Sequence, residues 1–266
     1  MSNPFDDAVR ILSESSRILA FTGAGISTES GIPDFRGPDG LWTRVDPEDF
    51  TITRYLANPE LRRRGWRMHL EGRLWGARAR IDPNPGHHAL VDLWQAGRLA
   101  GCVTQNIDGL HLKAGLPEAA VAELHGNVRE VRCLDCNRRW PTEEVLQRVE
   151  AGEEEPRCGV CGGIVKTTTV MFGEELPRGV LERAWEMAAA ADAVVAIGST
   201  LGVWPAAEIP FRAAQQGRPL VIVNQGATEM DHLASVLIEG SAGEMLPALV
   251  EKILGNDGPS RPTVSQ

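Results

Sequence analysis

No run of 18 consecutive apolar residues occurs in the 266-residue chain, and its first residues carry no charged-then-apolar leader. Neither a membrane-spanning helix nor a secretory signal is expected, and a soluble, cytoplasmic protein is. Positive charge is scarce: 27 Lys and Arg stand against 36 Asp and Glu, a net charge of −9. The only basic run is Arg62-Arg63-Arg64, so nucleic acid is not an expected partner, nor is a membrane. A disulfide framework is missing too, since four of the five cysteines fall in two Cys-x-x-Cys pairs, a pattern that suits metal binding in a reducing compartment. The fifth, Cys102, lies in an apolar run and reads as a small buried hydrophobe. Composition gives no support for disorder, with 42% hydrophobic and 24% charged residues. The length suits one large domain, alone or with a small satellite.

What is present centres on Phe21-Thr22-Gly23-Ala24-Gly25-Ile26-Ser27, which follows the apolar run Ile18-Leu19-Ala20-Phe21. A buried strand that stops at Gly-x-Gly delivers backbone N–H groups at the mouth of a sheet, where a following helix can help hold a phosphate. The glycines alone are a weak signal. A third glycine would fall at position 28, which is Thr28, and no acidic residue clearly ends a second strand. The continuation Asp34-Phe35-Arg36 adds an acceptor, an aromatic face and a cation directly after the loop.

A helix is expected over residues 4 to 15, with Phe5, Ala8, Val9 and Leu12 on one face. After the glycine loop and up to about residue 80 the α/β rhythm fails in an irregular, Trp-rich helical stretch that includes Tyr55, Trp66, Leu74 and Trp75. It resumes with Asn84-Pro85 as N-cap and first helical residue, and with Gly97 as a stop. The strand Gly101-Thr104 then leads into Gln105-Asn106-Ile107-Asp108. After a second break at residues 128 to 169 come a helix around Val180 to Ala188 and the strand Ala193-Ile197, ending in Gly198-Ser199-Thr200. A helix from Pro205 to Gln216, the strand Pro219-Val223 ending in Asn224-Gln225, and a helix from Glu244 to Leu254 complete the pattern. Residues 255 to 266 read as a disordered tail. Strands alternating with helices indicate an α/β fold with a doubly wound parallel sheet. Any one polar strand end is most simply a turn, but four of them can converge on one crevice at the carboxyl ends of the strands.

Cys133-x-x-Cys136 and Cys158-x-x-Cys161 are separated by 21 residues and can supply a closed tetrahedral Cys₄ site for one structural zinc ion. Two disulfides, an iron–sulfur cluster or free thiols are the other readings of the same cysteines. A closed site leaves no position for substrate, so its role would be to staple a small segment.

Taken in order, these motifs resemble the sirtuins, the NAD-dependent protein-lysine deacylases, in a bacterial or archaeal-type single catalytic core. The resemblance runs from about residue 10 to 254 and rests on the glycine loop, Gly31-Ile32-Pro33-Asp34-Phe35-Arg36, Thr104-Gln105-Asn106-Ile107-Asp108, His125-Gly126, both cysteine pairs, Phe172-Gly173-Glu174, Gly198-Ser199-Thr200 and Val223-Asn224. It implies a Rossmann-type NAD-binding large domain from residues 1–35, 81–127 and 170–254. A smaller lobe would comprise a helical insertion, 36–80, and a zinc-binding module, 128–169.

The resemblance also implies the chemistry. The acyl oxygen of a substrate lysine attacks the nicotinamide ribose carbon as nicotinamide leaves, and His125 acts as general base on a ribose hydroxyl so that the sugar takes the acyl group. The products are free lysine, nicotinamide and O-acyl-ADP-ribose. By the same resemblance Asn106 and Asp108 join His125 in the catalytic set, Asp108 near the nicotinamide carboxamide. Gly23, Ala24, Gly25, Ser27, Glu29, Asp34, Phe35, Arg36, Gln105 and Ile107 belong to the cofactor site. Gly198, Ser199, Thr200, Asn224, Gln225 and Ala242 would hold the adenosine half. An acyl-lysine peptide would add as a strand at Val170, Phe172, Gly173, Glu174 and Val203. His87, His88 and His111 are left as helix or turn residues.

The family branch that removes succinyl or malonyl groups carries a Tyr-x-x-Arg pair, and the matching stretch here is Trp66-Arg67-Met68-His69. Neutral acyl groups are therefore expected, acetyl first. A protein ADP-ribosyltransferase on the same NAD site, or a non-catalytic NAD-responsive binding module, are the competing readings.

Overall fold

The computed structural model describes residues 3–37, 40–73 and 75–255. Leu74 and the expected tail beyond Gly255 lie outside the described residues. In chain order the helices are α1 (Pro4–Glu14), α2 (Ile52–Ala57), α3 (Pro59–Glu71), α4 (Pro85–Gln95), α5 (Leu110–Ala114), α6 (Thr142–Glu150), α7 (Arg178–Ala190), α8 (Glu208–Gln215) and α9 (Ala242–Gly255). The strands are β1 (Ile18–Thr22), β2 (Leu99–Thr104), β3 (Val121–Glu123), β4 (Glu130–Cys133), β5 (Arg139–Pro141), β6 (Val165–Thr167), β7 (Ala193–Ile197), β8 (Leu220–Asn224) and β9 (Val236–Glu239).

Six parallel strands form one sheet in the order β3-β2-β1-β7-β8-β9, the doubly wound Rossmann arrangement. β1 is buried along its whole length because both of its faces are covered. Ile18 and Ala20 pack into one core with α1, α4 and α9, whereas Leu19 and Phe21 pack into the other with α7 and α8. Alternation over five residues thus serves two cores at once, which is why the strand reads as continuously apolar.

Two strands of this sheet escape the sequence pattern. β3 is three residues long, and β9 is an edge strand whose Leu237 and Glu239 face solvent, so neither makes a long apolar run. The expected helix from Pro205 begins only at Glu208, since residues 204–207 form a turn. At Asn84 the expected N-cap is reinforced: its side chain accepts from the Gly86 N–H at 2.9 Å while His87 Nδ1 accepts from the Asn84 N–H at 3.3 Å.

A second, three-stranded antiparallel sheet, β5-β4-β6, belongs to the cysteine segment. It shares a core with the helical insertion: Trp66 of α3 packs with Val131, Val145, Leu146 and Val165. Tyr55 Oη donates to the Val165 carbonyl at 2.9 Å, and the buried Arg62 reaches Glu155 at 2.7 Å. The two breaks in the α/β rhythm therefore form one smaller lobe beside the sheet.

Candidate active site

The sheet reverses its winding between β1 and β7, and the loops after those strands interlock there. Gly25 N–H donates to the Gly198 carbonyl at 2.8 Å, and a Cβ on Gly25 would stand 2.6 Å from the Gly198 Cα. The second glycine is thus demanded by backbone-to-backbone approach, and the segment that follows, Ala24–Ser30, is a 3₁₀ helix and not the α-helix that the phosphate-cradle reading expects. The crevice opens into a cavity of about 1140 Å³ that runs on between the sheet and the smaller lobe. Every cofactor, catalytic and peptide residue named from the sequence lines it, with one exception: Glu29 instead accepts from the Gly243 N–H at 2.5 Å and caps α9.

His125 stands at the centre. Its Nδ1 lies 2.9 Å from the Gln105 carbonyl oxygen, which can only accept, so Nδ1 carries the proton and Nε2 is left basic. Burial holds its pKa below the ordinary imidazole value, against a smaller upward pull from that carbonyl. The ring is therefore neutral at pH 7. Gln105 in turn donates through Nε2 to Ser199 Oγ at 2.9 Å, linking the ends of β2 and β7.

Asn106 and Asp108 are fixed by Ser27. Ser27 Oγ donates to Asp108 Oδ2 at 2.8 Å and accepts from Asn106 Nδ2 at 3.1 Å, while the same amide also donates to the Gly23 carbonyl at 3.1 Å. Asp108 Oδ1 accepts from the Leu110 N–H at 2.9 Å. Asp108 is thus a turn former and a cavity-lining carboxylate together. Asp34 holds its own loop by accepting from the Gly37 N–H at 2.8 Å. Phe35 stacks at a tilt between Trp42 and Trp75, with centroids 5.1 and 5.6 Å away. Arg36 is exposed at the cavity and has no carboxylate partner among the described residues.

Beneath these groups lie two histidines that residue-by-residue reading left as helix or turn positions. His87 Nε2 reaches Ser27 Oγ at 3.5 Å, and His111 Nε2 reaches Thr22 Oγ1 at 2.9 Å. Thr22 donates to Thr104 Oγ1 at 2.8 Å, and that oxygen accepts from the Asn106 N–H at 3.0 Å. The two rings sit 5.0 Å apart, and burial pushes His87 down to about 3 and His111 to about 4. The one local signal was His87 at the third helical position after Asn84, where a capping-box acceptor belongs.

On the lobe side, Val170 N–H donates to the His125 carbonyl at 2.7 Å, tying the Val170–Glu174 loop to the His125 turn. Phe172 N–H donates to Phe50 O at 2.9 Å and Phe172 O accepts from Ile52 N–H at 3.0 Å, which binds the loop to the helical insertion. Glu174 lines the cavity, but its carboxylate is turned onto Lys166, Arg132 and the Met171 N–H.

The four cysteine sulfurs lie within 4.8 Å of one another, with Cys133–Cys161 at 3.4 Å and Cys136–Cys158 at 3.7 Å. A tetrahedral zinc with Zn–S bonds of about 2.3 Å has S–S edges of about 3.8 Å, so the set fits that ion. Backbone N–H groups of Cys161 and Val160 pull the Cys158 thiol down to about 6. The Gly163 N–H favours the Cys161 thiolate, but sulfur contacts with Cys133 and Cys136 outweigh it and raise that thiol. Four crowded sulfurs cannot all ionise without a cation.

A doubly wound sheet with its cleft at the strand ends, a basic imidazole in that cleft and a Cys₄-stapled lobe define a nucleotide-binding enzyme class. The chain belongs to the Sir2 family, whose family model matches residues 23–205. It is 44% identical over 236 residues to the NAD-dependent protein deacetylase 2 of Streptomyces coelicolor, covering 88% of this chain and 96% of that protein. Among solved structures, it matches a Sir2 enzyme from work on Sir2 mechanism and regulation with a TM-score of 0.86 at 41% identity, covering 96% of this chain and all of the other. It also matches a Sir2 complex with a deacetylated p53 peptide and 3′-O-acetyl ADP-ribose, with a TM-score of 0.81 at 33% identity over 96% of this chain and 99% of that one.

Proposed function

We propose that the protein is an NAD-dependent protein-lysine deacylase acting first on acetyl-lysine, with His125 as its general base. The observation that carries this is the His125 tautomer: Nδ1–H is committed to Gln105 O, leaving a neutral, basic Nε2 in the cavity where the β1, β2 and β7 loops meet. NAD, when bound, supplies the electrophilic ribose carbon that accepts the acyl oxygen. This chain would hold it with the Gly23–Gly25 loop, Arg36, Gln105 and Ser199, and would orient Asn106 and Asp108 toward the nicotinamide end through Ser27. Phe35 would shield the reacting face, and Asn224, Gln225 and Ala242 would meet the adenosine half. One zinc ion in the cysteine set, and Cys102 left as a free thiol, suit the cytoplasm.

Selection among acyl groups follows from α3. At the register of the acidic-acyl pair stand Trp66, 2% exposed, and His69, which accepts from the Ala77 N–H at 3.2 Å and is pushed by burial to about 4. A neutral ring offers a succinyl carboxylate no counter-charge. The nearby arginines are already engaged, Arg62 by Glu155, Arg64 by Asp49 and Arg67 by Glu60. Gly65 on the same cavity-lining helix has open space where a Cβ would stand, room for a longer apolar chain beside Leu61 and Met68.

The test is mass spectrometry of NAD-dependent turnover on matched acetyl-, succinyl- and long-chain-acyl-lysine peptides, with His125→Ala alongside. Acetyl loss with O-acetyl-ADP-ribose formed, abolished in the variant, is the expected result. Transfer of ADP-ribose to protein without free lysine would replace this reading with the transferase. Succinyl preference would overturn the acyl assignment, and Gly65→Phe should lower long-chain turnover relative to acetyl.

A further inference from the structure

The loop that would receive the peptide, Val170–Glu174, contains no helix or strand longer than a single bridge, yet both of its ends converge on one buried ammonium. Lys166 leaves β6 with its side chain 3% exposed and directs its three donors at three acceptors: the Thr167 carbonyl at 3.2 Å, the Thr169 carbonyl, and Glu174 Oε2 at 2.9 Å. Glu174 Oε2 also accepts from the Met171 N–H at 2.9 Å, inside the loop, while Oε1 takes the Arg132 guanidinium from β4. The ammonium therefore grips the chain just before the loop and, through Glu174, its middle and its end. Both cations stand on the small sheet that the cysteine set closes.

Burial alone would pull Lys166 toward neutrality, and the Glu174 charge opposes it. Such an assembly contributes little net stability compared with a well-packed apolar alternative, so what it supplies is geometry. With Phe172 already bonded to the helical insertion, the Val170 carbonyl and the Gly173 N–H are left without partners among the described residues, open to a peptide backbone.

We infer that Lys166, with Glu174 and Arg132, is the positioning device through which the metal-binding module sets the shape of the peptide-receiving loop. Lys166 acts through Glu174 and Thr169 and not on the reacting atoms. The inference rests on the deacylase reading for the identity of the ligand. Its signature is a selective one: peptide docking weakens while NAD binding and the chemical step, built on the large sheet, are kept.

The experiment is steady-state kinetics of the zinc-loaded, full-length protein with an acetyl-lysine peptide, comparing wild type, Lys166→Met, Lys166→Arg and Arg132→Met after thermal melts establish folding. Lys166→Met should raise KM for peptide tenfold or more, with KM for NAD and kcat at saturating peptide within twofold of wild type. Lys166→Arg, which keeps a buried cation and several donors, should recover most of that loss. A folded Lys166→Met with unchanged peptide KM, or with both KM values and kcat shifted together, would overturn the inference. Should Lys166→Met not fold, Arg132→Met carries the test, because that side chain is partly exposed and makes one contact of the set. A peptide KM raised about threefold supports the inference and an unchanged one overturns it. Wild-type protein that turns over no acyl peptide would sink the deacylase reading instead, a failure distinct from that of the loop device.

Discussion

Three buried histidines make the fold sensitive to mild acid. His69, His87 and His111 are each at least nine-tenths buried, and burial pushes them to about 4, 3 and 4 respectively. In the unfolded chain each regains an ordinary pKa near 6.5. A folded pKa depressed below the unfolded one means that the unfolded state binds more protons as pH falls. The stability these rings permit is thus complete above pH 6.5 and is lost progressively as pH falls from about 6.5 to about 4 for His69 and His111 and to about 3 for His87. With three sites, the slope approaches about 4 kcal/mol per pH unit in the middle of that window, and the loss from pH 7.5 to pH 5 amounts to about 6 kcal/mol. That is comparable with the whole stability of many domains. Carboxylates held low by arginines, such as Glu143 beside Arg78, act only from the usual carboxylate range downward, whereas His125 and the metal-ligating thiolates titrate inside this window and add to the slope of the three rings. Urea unfolding of the zinc-loaded protein at pH 7.5, 6.0 and 5.0 measures the effect. His69→Gln, which keeps an acceptor for the Ala77 N–H, should flatten the slope by one site's share, up to about 1.4 kcal/mol per pH unit. A midpoint that stays level from pH 7.5 to 5, with constant m-value, would show that these rings are not held neutral by the fold.

Gly25→Ala forces a methyl against the Gly198 backbone, and neither strand end can yield cheaply; a loss of about 1–3 kcal/mol in thermal or urea melts is expected, together with weaker NAD binding by calorimetry. Gly65→Ala is the opposite case, with open space in a helix interior, and should stabilise by about 0.5–1 kcal/mol in the same melts. Chelation of zinc should melt the β4-β5-β6 sheet first, read as new protease sensitivity within residues 128 to 169, because Cys133 and Cys158 also belong to that lobe's core. Since burial lowers the His125 pKa, the acid limb of the kcat/KM profile should fall below pH 6.5, and His125→Ala should cost about 10²–10⁴ in rate. A limb at or above 6.5 would contradict that environment for the base.

Much of this protein is local in its sequence. β1, β2, β7 and β8 are short apolar runs closed by Gly or amide-bearing residues, and period and punctuation of that kind depend only on neighbours along the chain. The Cys-x-x-Cys pairs are likewise legible, since two thiolates on one tight turn need few residues. The edge strand β9 was not, because half of its side chains face water, and the Trp-rich stretch showed its helices but not its partner, which is the cysteine module 60 and more residues away. The roles of Glu29, Glu174 and His111, and the contact of His87 with Ser27, belong to tertiary structure alone. A carboxylate or imidazole carries the same chemistry wherever it stands, and what it does is settled by the partner that packing brings to it: the α9 N–H for Glu29, the β6 ammonium for Glu174, and the hydroxyl oxygens of Ser27 and Thr22 for the two rings. The residue order thus determined the strands, the turns and the metal-ligand set. Only folding, by burying some titratable groups and leaving others open to the cleft, decided which of them hold the site in place and which are free to react.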